Sequence, residues 1–120
     1  MSDVIQINAT ATLEVVALQE DGVSRLDLST ITPAADNLII VANGPQGQIL
    51  VFDGAGTGGS TAPVVFETDG SDGVFHVVTN PGDITIEGPW MYQGYAKTPA
   101  GQEYRSPKLN FEAEDNLPTS

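Results

Sequence analysis

Across residues 5–17 every odd position is apolar: Ile5, Ile7, Ala9, Ala11, Leu13, Val15 and Ala17. The even positions between them begin Gln6, Asn8, Thr10, Thr12 and Glu14. Side chains on a strand point to alternate faces, whereas a helix would scatter these residues around its axis. The segment predicts one long half-buried strand, or two joined by a bend near Ala9 to Ala11.

The rest of the chain reads as shorter strands set between turn residues. Glu20-Asp21-Gly22 predicts a turn, and residues 24–28 a short strand with Leu26 and Leu28 inward. Residues 29–37, with Pro33, read as a loop with room for one helical turn. Strands at 38–42 and 48–52 flank Asn43-Gly44-Pro45-Gln46-Gly47, a hairpin connection rich in Gly and Pro. Residues 53–62 hold four glycines and predict a flexible loop. Strands at 63–68 and 74–79 enclose Asp69-Gly70-Ser71-Asp72-Gly73, and Asn80-Pro81-Gly82-Asp83 breaks the chain again. Residues 90–97 and 103–112 form a last hairpin over Thr98-Pro99-Ala100-Gly101.

Seven or eight short strands result, with turn signals roughly every 8–12 residues and no helical period over ten or more. The pattern predicts an all-β fold, an antiparallel immunoglobulin-like β-sandwich, with a small barrel as the alternative. At 120 residues the chain suits one domain. We assign residues 1–113 to the sandwich and 114–120 to a polar tail. There is no internal repeat.

Charge changes the picture most. Sixteen acids stand against four bases, Arg25, Lys97, Arg105 and Lys108, for a net charge of −12. Nucleic-acid binding draws its affinity from Lys and Arg at phosphates, so no nucleic-acid partner is expected. The longest apolar run, Leu38-Ile39-Ile40-Val41, is far short of the ~20 residues that span a bilayer, and no membrane association is expected. Met1-Ser2-Asp3 places an acid where a secretory signal carries a base, so cytoplasmic synthesis is expected. Without that export route Asn8-Ala9-Thr10, formally a glycosylation acceptor, carries no weight. There is no cysteine, which removes disulfides, thiolate nucleophiles and Cys-type zinc sites together.

Several motifs invite a chemical reading and fail it. Gly54-Ala55-Gly56-Thr57-Gly58-Gly59 has the G-x-G-x-x-G spacing, but a dinucleotide fold needs a helix next, and Ser60-Thr61-Ala62-Pro63 follows. A Walker-type loop needs Lys ahead of Ser, where Gly59 stands. Asp69-Gly70-Ser71-Asp72-Gly73 looks like part of a calcium loop, yet lacks the terminal bidentate acid and flanking helices. His76 is the only histidine, and alternation turns it outward beside Val74 and Val78. No catalytic, cofactor-binding or metal-binding residue is therefore assigned, and no cofactor is expected. Trp90, Tyr92, Tyr95 and Tyr104 cluster near the last hairpin and suit a core, a subunit interface or sugar stacking.

The segment Gly82-Asp83-Ile84, then Gly88-Pro89-Trp90-Met91-Tyr92-Gln93-Gly94-Tyr95-Ala96 and Gly101-Gln102-Glu103-Tyr104-Arg105-Ser106-Pro107, resembles a pattern in tailed-phage structural proteins. There a Gly-x-Trp or Gly-x-Tyr strand, a Gly turn, and an Arg-Ser-x strand close an immunoglobulin-like sandwich. The chain is similar over residues 5–113 to the N-terminal domain of siphophage upper baseplate proteins and to small neck and capsid proteins. It departs from them in a longer Gly-rich insertion at 54–59, and in ending where baseplate proteins continue into a receptor-binding region.

The resemblance implies a virion component, a non-enzymatic adaptor or cement domain at tail, baseplate, neck or capsid. Its partners would be other virion proteins in a homo-oligomer or hetero-assembly. The candidate interface residues are Ile5, Ile7, Trp90, Tyr92, Tyr95 and Tyr104, with the strand edges of residues 5–17 free to extend a neighbour's sheet. A carbohydrate-binding module built on the aromatic patch is the alternative.

Overall fold

The computed structural model describes residues 3–7, 10–18, 27–31, 37–98, 101 and 103–114. Among them run nine strands: β1 (Asp3–Gln6), β2 (Thr12–Val16), β3 (Leu38–Asn43), β4 (Ile49–Asp53), β5 (Val64–Phe66), β6 (Val74–Val78), β7 (Gly88–Lys97), β8 (Glu103–Arg105) and β9 (Leu109–Glu114). The sole helical element among the described residues is a 3-10 turn, Pro45–Gly47, within the β3–β4 hairpin.

Two sheets pack face to face. The larger runs β1-β9-β7-β3-β4, with β8 also on β7, and the smaller runs β2-β6-β5. Every pairing is antiparallel except β1 with β9, which is parallel. This is the strand order of an immunoglobulin variable-type sandwich, A′-G-F-C-C′ over B-E-D. The expected all-β sandwich is the fold observed.

Among the described residues there are nine strands where seven or eight were expected for the chain, and two of the predicted strands have each divided. In residues 5–17 the bend wins over the single strand: β1 joins the large sheet and β2 the small one. Leu13, Val15 and Ala17 are buried, while Ile5 and Ile7 are half-buried against the core. The last strand breaks at Ser106-Pro107-Lys108, because Pro107 has no N–H to give the ladder. Ser106 repairs the break. Its Oγ accepts from the Gly94 N–H at 2.8 Å and donates to the Pro107 carbonyl at 3.0 Å.

Other expectations resolve differently. Of the strand predicted at 24–28, residues 24–26 lie outside the described residues. Leu28 is buried, and its N–H donates to the Gly70 carbonyl at 2.7 Å. The turn at 20–22, Arg25, Pro33 and residues 115–120 also lie outside them. Val74, expected to face outward, is buried, whereas Val78 is exposed.

The Gly-rich loop after β4 is organised by an anion of its own. One oxygen of Asp53 accepts from the N–H groups of Ala55 and Thr57, each at 2.9 Å, and the other from the Thr57 hydroxyl at 3.0 Å. Amides that a phosphate would need are thus already filled by a side chain, which is the physical reason the G-x-G-x-x-G spacing reads as a loop. Burial would push the Asp53 carboxyl up. Hydrogen bonds from Thr57, Ala55 and Gly56 outweigh it and hold the acid below its ordinary value. Because the folded pKa lies below the unfolded one, this stabilisation is complete above the ordinary aspartate range and is lost as pH falls through the folded value. Asp53→Asn is expected to cost about 1–3 kcal/mol at neutral pH. Urea titrations from about pH 5 to about pH 2 should show the wild-type advantage shrinking as the acid protonates. An advantage constant over that range would refute the assignment.

Candidate interaction face

The candidate face lies on the outer side of the large sheet, across β7, β3 and the edge strand β4. Their register sets Val41 opposite Val51 and Gln93, Ile39 opposite Asp53 and Tyr95, and Asn43 opposite Ile49 and Met91. A strand with one solvated face ordinarily alternates apolar and polar residues. Here β3 is apolar on both faces. Leu38, Ile40 and Ala42 turn into the core, leaving Ile39 and Val41 half-buried on the outside. Ile49 is 63% exposed and Met91 42%. Asn37, Ile39, Val41, Val51, Tyr95 and Lys97 contribute to a shallow groove of about 460 Å³ along this face.

Most of the chain's few bases lie around this strip. Lys97 follows Tyr95 on the same face of β7, and Lys108 lines the surface beside Val41, Met91 and Gln93. Arg105, opposite Tyr95 in the register, lays its guanidinium 5.1 Å from the centre of the Tyr95 ring. Three of the four bases in the chain therefore stand here. Four acids share the face: Glu103, whose carboxylate is 4.0 Å from Arg105, Glu112 opposite Pro89, Glu114 two residues further along β9, and the buried Asp53 opposite Ile39. An exposed pair at that distance contributes little stability.

The six predicted interface residues divide. Trp90 and Tyr92 are corrected to core: Trp90 is 1% exposed and stacks on Phe111, ring centres 5.8 Å apart, while the Tyr92 hydroxyl crosses to the Glu14 carbonyl of the small sheet at 3.3 Å. Both sit at positions of β7 that alternation turns inward, so their rings are spent on packing. Ile5, Ile7 and Tyr104 are partly buried against the core. Only Tyr95 stands on the outer face. Missed in the sequence were Ile39, Val41, Ile49, Val51 and Met91, although the uninterrupted apolar run of β3 was a usable signal.

His76 lies on the outer face of the small sheet, between Glu14 and Val65 in the register. Its Nδ1 is 2.6 Å from a Glu67 carboxylate oxygen, but off the line of a hydrogen bond. In the β5–β6 turn, Asp69 accepts from the Ser71 N–H at 2.9 Å and Asp72 from the Val74 N–H at 3.1 Å, so these acids hold the turn. Among the described residues no group of three or more His, Asp or Glu side chains is placed to hold a metal ion, and no helix is long and apolar enough to cross a membrane.

No protein-family model matches the chain, and no curated protein is significantly similar to it.

Proposed function

We propose that this chain is a non-enzymatic docking domain of a larger assembly, and that the assembly is a tailed-phage virion. One observation carries the docking part: a largely apolar strip of Ile39, Val41, Ile49, Val51 and Met91 across β4, β3 and β7, interrupted by Asn43 and Gln93 and flanked by Lys97, Arg105 and Lys108, on a sandwich whose interior is already packed. Exposed apolar patches of this kind mark surfaces that bind other macromolecules. The virion part rests on the resemblance of the last hairpin, whose Gly-Pro-Trp strand and Arg-Ser-Pro break are β7 and the β8–β9 junction. On this reading the domain works by adhesion, burying the strip against a neighbouring subunit while its acidic remainder keeps it soluble. Of the four rings a sugar-stacking platform would use, Trp90 and Tyr92 are inside the core, which favours protein over carbohydrate as the ligand.

Val41→Asp places a charge at the centre of the strip. Tagged wild-type chain should co-purify with density-banded particles at fixed stoichiometry, and the variant should fall at least tenfold while keeping its strand circular dichroism. Absence of the wild-type chain from particles would overturn the virion assignment. Normal incorporation of Val41→Asp would overturn the docking face.

A further inference from the structure

Each sheet ends in edge strands, whose outward N–H and C=O groups can pair with another chain unless something prevents it. Most of these edges are managed by their own residues. β1 begins at Asp3 and β2 carries Glu14 at its centre. β5 and β8 are three residues long, the first following Pro63 and the second charged at both ends. β4 has no such device. Ile49-Leu50-Val51-Phe52 is an unbroken apolar, strand-favouring run, and the one charge that ends it, Asp53, is buried.

What covers β4 is the Gly-rich loop that follows it. The Gly54 N–H donates to the Leu38 carbonyl at 2.9 Å, so the ladder turns the backbone groups of Leu50, Phe52 and Gly54 toward β3. Those of Ile49, Val51 and Asp53 therefore face away. The loop takes two of these three outward carbonyls: the Gly56 N–H donates to Asp53 at 3.2 Å and the Ser60 N–H to Val51 at 3.3 Å. Only glycine permits the approach at position 58, where a Cβ would fall 2.9 Å from a Val51 methyl and 3.0 Å from the Val51 carbonyl oxygen. Both ends of the loop are fastened. Asp53 holds the amides of Ala55 and Thr57, and the Ser60 hydroxyl donates to Asp83 at 2.8 Å.

We propose that residues 54–60 are a strap that closes the β4 edge to other chains, and that lifting it lets β4 pair antiparallel with β4 of a second copy. The G-x-G-x-x-G spacing thus serves close contact with a strand edge. In a symmetric pair centred on Val51 the two Val51 residues exchange N–H and C=O, and Ile49 stands opposite Asp53, so no acid meets an acid. Such a contact uses the same patch on both copies and closes at the dimer. It lies on the edge of β4, not on the outer face, and is independent of the docking strip.

Sedimentation velocity at about 0.15 M salt, where the net charge of −12 is largely screened, tests this. Wild-type chain should stay monomeric at concentrations where Gly58→Val, whose side chain pushes the loop off Val51, is largely dimer. Val51→Pro added to Gly58→Val should return the monomer, since it removes an N–H that faces away from β3 and breaks no bond of the ladder. The Val51 amide should exchange hydrogen roughly tenfold more slowly in the Gly58→Val dimer than in its dilute monomer. Circular dichroism checks that the strands persist. If Gly58→Val loses them, Gly58→Ala, which adds one methyl, carries the test. A loop variant that keeps its strands and stays monomeric would overturn the proposal, as would wild-type chain equally dimeric. A dimer that survives Val51→Pro, or one in which the Val51 amide gains no protection, would place the contact off the β4 edge and overturn it too.

Discussion

Trp90→Ala is expected to bring the domain to the edge of unfolding. The indole is enclosed on both sides: Phe111 lies nearly parallel to it, 8° between planes, and Gly44 lies against it. Its Nε1–H donates to the Ile86 carbonyl at 3.0 Å, tying the start of β7 to the segment before it. Truncation removes the ring, leaves a cavity between two sheets that cannot close, and strips Ile86 of its donor. Losses of about 3–5 kcal/mol are usual for such changes, against a total stability of about 5–15 kcal/mol for a small domain. Trp90→Phe keeps most of the volume but not the N–H, and should cost about 1–3 kcal/mol. Urea unfolding followed by circular dichroism separates the two. A Trp90→Ala midpoint close to wild type would mean that the ring is not structural. Gly44 belongs to the same unit, since a Cβ built there would fall 2.5 Å from the indole.

The second large effect is expected at Gly94, in the middle of β7. Glycine inside a strand usually weakens it, and replacement by alanine commonly stabilises by about 0.4–1 kcal/mol where the backbone allows. Here the sign should reverse. A Cβ at Gly94 would lie 2.6 Å from a Val15 methyl and 2.7 Å from the tip of the Phe75 ring. Gly94→Ala should cost about 1–3 kcal/mol by overpacking, and Gly94→Val more. Shortening the obstacle tests the cause: Phe75→Leu combined with Gly94→Ala should lose less than the two single changes added together. Simple additivity would show that the crowding lies elsewhere. In antibody domains a disulfide joins strands B and F across the core. This chain has no cysteine, and the corresponding β2 and β7 meet through Val15 and Gly94, with Phe75 of β6 wedged against both.

These two sites and the docking strip share a cause. β7 is the longest strand and pairs with β3, β8 and β9, so its inward residues govern stability and its outward residues shape the exposed face. Trp90, Tyr92 and Gly94 turn in, and Met91, Gln93, Tyr95 and Lys97 turn out. Substitutions at odd and even positions of one strand should therefore have separable consequences, the first for assembly and the second for folding.

The strands and most of their turns were readable from residue order alone, because backbone alternation and turn chemistry are local. Period two across residues 5–17, Gly and Pro in the β3–β4 connection, and Asp-Gly pairs between β5 and β6 each act within a few residues. Local chemistry also made His76 an outward strand residue. The sheet to which a strand belongs is a different kind of fact. β1 and β2 carry the same pattern yet join opposite sheets, since β1 finds β9 more than a hundred positions away. Nor could a run apolar on both sides, as in β3, announce which side would be covered. That outcome depended on the small sheet arriving over Ile40 rather than Val41. The aromatic residues misled for the same reason. A ring suits a core and a contact surface equally well, and only packing across the sandwich buried Trp90 while leaving Tyr95 at the surface beneath Arg105.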